Sequence, residues 1–596
     1  MKRILLGVTV LALAFGLGGC GRQSKETKID EFHTELFGEN VYFFSPGDDP
    51  ALVQDVLDQT YARQETNQFG DERFSFYFLP GDYDDSICVN VGFYTQVAGL
   101  GEQPTDTKIS ELLCLAGWLG DDNNHNATCN FWRGVENIEI KGKKTIWAVS
   151  QATDMRRVRI DGSLYLHDDN GWASGGFLAD SRVDRMIDSG TQQQWLSRNN
   201  AYSVWMGDNW NIVFLGDDPN GIPNGTWPNL SYTRVDETPV AREKPFLVWR
   251  DGAFFVMVPD AKTQAIGPDW SGEEKTPGRL LPISDFYVAK EGVDTADTLQ
   301  AALDEGRHLF FTPGIYELSH PLSVTKEGTI LLGSGLATLR VKGDEEVGCL
   351  ETTGAGITVA GLLFDAGSHD TATLVRIGRP QGDVQTDDPI SISDLYFRVG
   401  GGNTAEPVTA DACLVIDADG VVGDNLWVWR ADHGDQVAWD KNVTKNGVII
   451  NGDGVKMYAL MVEHFHEYQT VWNGEDGYLA MYQSEVPYDV PDAALWKSHD
   501  GQMDGYASIY VADDVKRFNA DGIGIYLFNR DAAVPLHAAM ETPRGDGIDI
   551  RHIITVLLSG NPGMQHVIND TGGPVIKQGD EQMVLHYKGD VDLRFK

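Results

Sequence analysis

Short apolar runs recur along the chain, each closed by Gly, Asn or Asp. Val135-Glu136-Asn137-Ile138-Glu139-Ile140 and Met155-Arg156-Arg157-Val158-Arg159-Ile160 carry mixed apolar and polar positions, as strands with one buried face do. Gly356-Ile357-Thr358-Val359-Ala360-Gly361-Leu362-Leu363-Phe364, Ile390-Ser391-Ile392-Ser393-Asp394-Leu395-Tyr396-Phe397 and Gly447-Val448-Ile449-Ile450-Asn451-Gly452 are similar. The closing residues permit sharp turns, and long amphipathic helices are scarce. Many short strands at a spacing of roughly 20–25 residues predict an all-β chain coiled as a parallel β-helix, each turn stacking its strands on the one before. A β-propeller would need four strands per blade and a shorter period.

The pattern occurs twice. Asp49-Pro50 reads as a helix N-cap followed by proline at the first helical position. A helical stretch through Leu57 follows, then Phe76-Tyr77-Phe78-Leu79-Pro80-Gly81-Asp82-Tyr83 and Gly99-Leu100-Gly101. Thr295 to Glu305 reads as a second helix, stopped by Gly306, before Leu309-Phe310-Phe311-Thr312-Pro313-Gly314-Ile315-Tyr316 and Gly333-Ser334-Gly335. Pro80 and Pro313 lie 233 positions apart, as do Tyr83 and Tyr316. Helix, strand, Pro-Gly-x-Tyr and Gly-x-Gly thus return in one order at one offset, which predicts two tandem coils made by internal duplication. Each helix would cover the open end of its coil, where strand edges are otherwise unpaired. The predicted units are an N-terminal β-helix domain over 46–262, a Gly-, Pro- and charge-rich linker over 263–284, and a C-terminal β-helix domain over 285–596.

Charge narrows the partners. Against 47 Lys+Arg stand 88 Asp+Glu, a formal net charge of −41. Nucleic acid and electrostatic docking on anionic lipid both require basic patches, so neither fits. A neutral or cationic partner does, and a monomer is expected. Cys88, Cys114, Cys129, Cys349 and Cys413 are odd in number and contain no CxxC, which gives little support to a metal or thiol site. No cofactor and no metal are expected.

The N-terminus reads as an address. Lys2 and Arg3 precede an apolar stretch from Ile4 to Leu17, the shape of a secretory signal over 1–19. Leu17-Gly18-Gly19-Cys20 resembles a bacterial lipoprotein box, which implies lipid on Cys20, a polar tether over 20–45 and an extracytoplasmic, membrane-anchored location.

The chemistry concentrates in one region. Val462-Glu463-His464-Phe465-His466-Glu467-Tyr468-Gln469 leads to Trp472, and then to Met481-Tyr482-Gln483-Ser484-Glu485-Val486-Pro487-Tyr488. Glu463 and Glu485 are 22 residues apart, close to one turn of the coil, which would stack them with backbones roughly 4.8 Å apart. Two such carboxylates do not both ionise easily, so one becomes a general acid at neutral pH. Acid catalysis beside a second carboxylate is what glycosidic cleavage requires. Trp427, Trp429, Trp439, Trp472 and Tyr488 lie in the same region and offer faces for sugar rings. His464 and His466 alternate on the presumed strand without a third ligand at a diagnostic spacing, which leaves a hydrogen-bonded pair as the simpler reading.

The segment resembles the catalytic stretch of glycoside hydrolase family 55, exo-acting β-1,3-glucanases with two tandem β-helices. Glu463-His464, Tyr468-Gln469 and Gln483-Ser484-Glu485-Val486-Pro487-Tyr488 carry the resemblance, and Phe397-Arg398-Val399-Gly400-Gly401 matches another stretch. In the first half, Ser174-Gly175-Gly176-Phe177 and Gln192-Gln193-Gln194-Trp195 resemble the family's Gly-Gly-Phe and Gln-Gln segments. Phe93-Tyr94-Thr95-Gln96-Val97 and Trp427-Val428-Trp429-Arg430-Ala431-Asp432-His433 look like a bacterial branch. The resemblance implies two right-handed, pectin-lyase-like coils, inversion at the anomeric centre, Glu485 as general acid and Glu463 as the group that tunes its proton. Gln193 and Gln194 are the candidates to hold the attacking water. Tyr488, Gln483, Trp472, Trp429, Asp432 and His433 are the candidate substrate contacts. Two alternatives stay open: a hydrolase of another polysaccharide, and a lipid-anchored protein that binds surface polysaccharide without cleaving it.

Overall fold

The computed structural model describes residues 31–116, 124–270, 276–379, 388–402, 404–589 and 591–592. The expected signal segment 1–19 and Cys20 lie outside them. Nearly all regular structure is β, arranged as two parallel β-helices. The first coil runs from strand Val41–Phe44 to strand Tyr232–Val235, and the second from Phe286–Ala289 to Met564–Ile568. Each rung stacks in parallel register on its predecessor; Lys456–Glu463, for example, lies between Val422–Arg430 and Gly477–Glu485. Inward aliphatic and aromatic residues fill each coil with its own core.

The duplication is visible in atomic detail. Helix Pro50–Gln64 is capped by the Asp49 side chain, which accepts from Ala51 N, and buries Val53 and Leu57 on the end of the first coil. Helix Ala296–Asp304 is capped by Thr295 and buries Leu299 and Leu303 on the second. Gly306, at φ +82°, ends it, because a left-handed residue closes a helix most easily without a Cβ. The Tyr83 hydroxyl reaches Phe44 O at 2.5 Å and Leu79 O at 3.0 Å. Tyr316, 233 positions later, reaches Ala289 O and Thr312 O, each at 2.9 Å. Both tyrosines therefore tie a Pro-Gly turn to the preceding rung.

Two expected boundaries change. Within the tether expected over 20–45, Glu31–Phe37 is helical and Val41–Phe44 is the first strand, paired with Phe74–Phe78. Phe37 is buried edge-on against Phe254 and Phe310, so apolar packing overrides the polar look of this stretch. The linker expected over 263–284 contains Lys262–Ala265, paired with Thr238–Ala241, and Gly278–Pro282. Gly278–Pro282 joins Phe246–Arg250 and Ala253–Pro259 in an antiparallel sheet, whose Leu247, Phe254 and Val256 pack between the coils. Residues 271–275 of that linker lie outside the described residues.

One sheet of each coil faces the other. Phe177, Leu196 and Val213 of the first pack on Tyr458, Ala480 and Met481 of the second. Phe131 and Trp132 pack on Trp427 and Trp429, with Phe131 and Trp427 centroids 4.6 Å apart. Buried charges complete the seam. Arg156 binds Asp394 through Nε and Nη2 at 2.9 and 2.7 Å, and Asp424 through Nη1 at 2.8 Å. Arg198 bridges Asp424 and Glu243, each at 2.7 Å. Burial disfavours charge on Asp394, but Arg156 and Lys244 outweigh it and hold its carboxyl below the usual carboxylate range.

Every rung of the second coil's seam-facing sheet from Thr358–Asp365 to Ile548–Ser559 carries a residue with positive φ at one aligned position. They are Gly361, Asp394, Asn425, Ala459, Met481, Gly522 and His552. The first coil has the same column at Asn137, Arg157, Asp180, Asn199 and Gly216. Each column is a crease running along the seam. At Gly522 a Cβ would lie 2.3 Å from Val213 Cγ2, so the opposite coil sets the residue there.

Candidate active site

The seam opens at one end into a cavity of about 230 Å³ lined by both coils. Thr128, Cys129, Phe131, Gln151, Ser174 and Gln193 come from the first coil, and Trp429, Asp432, His433, Glu463, His464, Glu485, Tyr488 and Leu558 from the second. Trp429, Glu463, Glu485 and Tyr526 follow one another at a single register position on successive rungs. The spacing of 22 is therefore one rung, and the two carboxylates stack as that spacing predicts.

Their environments differ. The Glu463 side chain is 4% exposed and the Glu485 side chain 14%. Burial, with a smaller push from Asp432, raises Glu463 to about 8, although the nearby polar groups of Gln483, Trp427 and Gln151 pull the other way. Gln151 donates to Glu463 Oε1 at 2.8 Å across the seam. Burial also lifts Glu485 well above the usual carboxylate range, reinforced by the neighbouring charges of Glu463 and Asp432. The Tyr488 hydroxyl donates to Glu485 Oε2, and Gln483 Nε2 lies 3.4 Å from its other oxygen. Burial therefore favours the protonated form of Glu485, which faces the cavity and is fixed in orientation.

Asp432 and His433 form an ion pair beside the two glutamates, His433 Nδ1 lying 2.7 Å from Asp432 Oδ1. Burial opposes both charges, but their mutual hydrogen bond prevails, lowering Asp432 to about 2 and raising His433 to about 10. His464 stays neutral: burial lowers it to about 4 against the pull of Asp432. Its Nε2 lies 3.9 to 4.0 Å from Asp432, Glu463 and Glu485, a neutral spacer among three carboxyl groups. His466 points elsewhere, toward Trp439 O and Thr444 O, so the two histidines do not face one site.

Of the residues singled out in the sequence, Glu463, Glu485, Gln193, Tyr488, Trp429, Asp432 and His433 line the cavity. Gln483 is wholly buried behind the glutamates. Gln194 is not in the cavity; its amide donates to Ser174 O beneath the floor. Trp472 is not a substrate contact. Its strand, Thr470–Trp472, belongs to the other sheet of the second coil, and the ring points inward, edge-on to Phe518 at 5.0 Å. Trp429 presents only 1% of its surface and stacks on Trp427 at 4.9 Å and on Phe69 at 6.3 Å, so it is a rigid wall. The five described cysteines are all free thiols. Sequence reasoning missed Gln151 and gave Ser174 no role. The Ser174 hydroxyl donates to Gln151 Oε1 at 3.0 Å, which makes Ser174, Gln151 and Glu463 one chain of hydrogen bonds. The Ser-Gly-Gly-Phe segment was the available signal for Ser174; Gln151 had none.

Comparison with known proteins agrees with this geometry. Residues 286–485, which end at the second glutamate, match the family described as the LAM55 pectate lyase-like domain. An exo-beta-1,3-glucanase of Streptomyces sp. (strain SirexAA-E / ActE) is 39% identical over 545 residues, 90% of this chain and 87% of the relative. The solved structure of sacteLam55A from Streptomyces sp. SirexAA-E superposes with a TM-score of 0.87 at 38% identity, covering 92% of this chain and 98% of that one. A glutamate-to-alanine variant of sacteLam55A in complex with glucose superposes equally well, at 37% identity over the same shares of the two chains. Similarity of this extent, over both coils and the site between them, means that the chain belongs to glycoside hydrolase family 55 and is a glycoside hydrolase.

Proposed function

We propose that the protein releases glucose from the end of a β-1,3-glucan with inversion, Glu485 acting as the general acid. The observation that carries this reading is Glu485, oriented by Tyr488 and buried so that its protonated form is favoured, at the open side of a cavity built from both coils. Glu485 gives its proton to the glycosidic oxygen as the bond breaks. A water attacks the opposite face, held by Ser174 Oγ, Gln193 and Gln151 on the first coil. Glu463, itself protonated at neutral pH, accepts from Gln151 and fixes it, while the charge of Asp432 favours the proton on Glu485. The proton that the water loses returns to the carboxyl pair, which restores the starting state. A cavity of about 230 Å³ holds roughly seven or eight waters at ~30 Å³ each, which suits a chain end better than a chain passing through. Trp429, Asp432 and His433 form the wall against the sugar, and neutral sugar suits a protein of this negative charge. We also assign Cys20 as the lipidated first residue of an extracytoplasmic lipoprotein.

The Cys20→Ser chain and its Glu485→Gln variant, incubated with linear β-1,3-glucan, test the reading. Expected are glucose released first as the α-anomer by proton NMR, and a loss of about 10²–10⁴-fold in the variant with the fold retained by circular dichroism. First release of the β-anomer would refute inversion. An unimpaired variant would refute the acid. Glucose released only from other glucans would move the substrate. The anchor is tested separately: the wild-type chain should fractionate with membranes and take up labelled palmitate, and Cys20→Ser should do neither.

A further inference from the structure

Away from the catalytic cavity, the last rungs of the second coil bring together His537, His566 and Asp570. We propose that these three residues bind one divalent transition-metal ion of the class represented by zinc, and that the ion clamps the C-terminal end of the coil. One ligand atom from each lies within 4.8 Å of the other two. His537 Nε2 is 3.5 Å from Asp570 Oδ1, and the imidazole centroids are 5.3 Å apart at 68°. Two imidazoles and a carboxylate are the donor set of zinc, copper or nickel; calcium and magnesium prefer oxygen alone.

The donors sit on rigid elements. His537 belongs to strand Leu536–Glu541 and His566 to its parallel neighbour Met564–Ile568, which pair at Ala538 and His566. Asp570 is on the turn that follows, closed by Thr571 N to Ile568 O at 2.8 Å and Val567 N to Thr571 O at 3.0 Å. The adjacent Asn569 pins this turn to Thr542 O at 3.1 Å and to the Tyr587 hydroxyl at 2.9 Å on the closing antiparallel strand. The remaining polar atoms have the partners a metal site wants. His566 Nδ1 faces Gly572 O at 3.3 Å, which leaves Nε2 as the ligand atom. Asp570 Oδ2 receives Arg544 at 3.1 Å, which leaves Oδ1. His537 is 26% and Asp570 67% exposed, so an ion has a path in and water completes its coordination. Bound there, the ion would cross-link two rungs and the turn leading to the last strand, and stabilise the folded state by mass action.

The test is zinc binding by calorimetry and thermal unfolding. It uses the full chain without a polyhistidine tag, stripped with EDTA. Expected are one equivalent of zinc and an unfolding temperature raised by zinc, not by magnesium, and lowered again by EDTA. Outer-shell changes cost about 10–100-fold in metal affinity, so loss of a ligand in His566→Ala or His537→Ala should cost at least about 100-fold. Each variant should keep the metal-free unfolding temperature and the hydrolytic activity of the parent. Absence of saturable zinc binding would overturn the proposal. So would undiminished binding in the His537→Ala/His566→Ala double variant, which would place the ion elsewhere. His566→Gln, similar in size and without an imidazole, provides the same reading if an alanine variant fails to fold.

Discussion

Glu463→Gln should make the protein more stable at neutral pH while lowering its turnover. In the unfolded chain this carboxyl gives up its proton near 4.5; in the fold, burial and then Asp432 hold the proton to about 8. Between these values the folded chain binds one proton more than the unfolded chain. Stability from this group is therefore complete below pH 4.5 and is lost as pH rises toward 8. Each unit costs about 1.4 kcal/mol, and pH 7 lies two and a half units above the unfolded value, so Glu463 costs the native state about 3 kcal/mol there. Glutamine removes that cost. It keeps a carbonyl oxygen for the Gln151 amide, which now donates to Glu463 at 2.8 Å. Unfolding entropy of ~2.1 cal/mol/K per residue over 596 residues is about 1.2 kcal/mol/K, so the gain is about 3 °C in unfolding temperature at pH 7. Differential scanning calorimetry of parent and variant from pH 4.5 to 8.5 should show a difference near zero at the acid end, growing to a plateau above pH 8. A difference independent of pH, or a variant less stable at pH 7, would refute the protonated state assigned to Glu463.

Other substitutions probe the seam and the cavity. Arg156→Met leaves Asp394 and Asp424 buried with one cation fewer and should cost about 3–5 kcal/mol; calorimetry should show a lowered endotherm in which the two coils no longer melt together. Trp472→Ala should cost about 3–5 kcal/mol of stability through the space it vacates, with KM unchanged, since the ring never meets substrate. Gln193→Ala should lower kcat with little change in unfolding temperature. Gln194→Ala should lower the unfolding temperature, because its buried amide loses its bond to Ser174 O, and should lower kcat less than Gln193→Ala does; equal effects of the two on kcat would contradict their placement.

What the sequence revealed and what it concealed have a common physical origin. A coil repeats, so whatever depends on the period is legible. The spacing from Glu463 to Glu485 equals one rung and set their stacking in advance, and the offset from Tyr83 to Tyr316 disclosed the duplication. Position within a rung is less visible. Trp472 lies nearer to Glu463 in sequence than Glu485 does, yet a turn between the two strands sends its ring into the core of the coil. Contacts across the seam are not visible at all. Gln151 meets Glu463 over 312 positions of sequence, and nothing in its neighbourhood marks it. Charge and glycine made 20–45 and 263–284 look like tether and linker. The apolar residues Phe37, Val41, Phe43 and Leu281 within them were the weaker and truer signal, since burial between the coils decides those segments.

The crease along the seam also governs how such a protein can change. Asp394, Asn425, Ala459 and Met481 hold left-handed backbone at one level on consecutive rungs. Inserting or deleting one residue upstream of that level in a single rung would move its bend out of line and turn its outward side chains inward. The strands before Glu463 and Glu485 are thus closed to changes of length. The turns after Trp429 and Glu485, which carry Asp432 with His433 and Tyr488 to the rim of the cavity, are under no such restraint. New specificities in this architecture would arise by lengthening those turns, while the spacing of the two glutamates stays fixed at one rung.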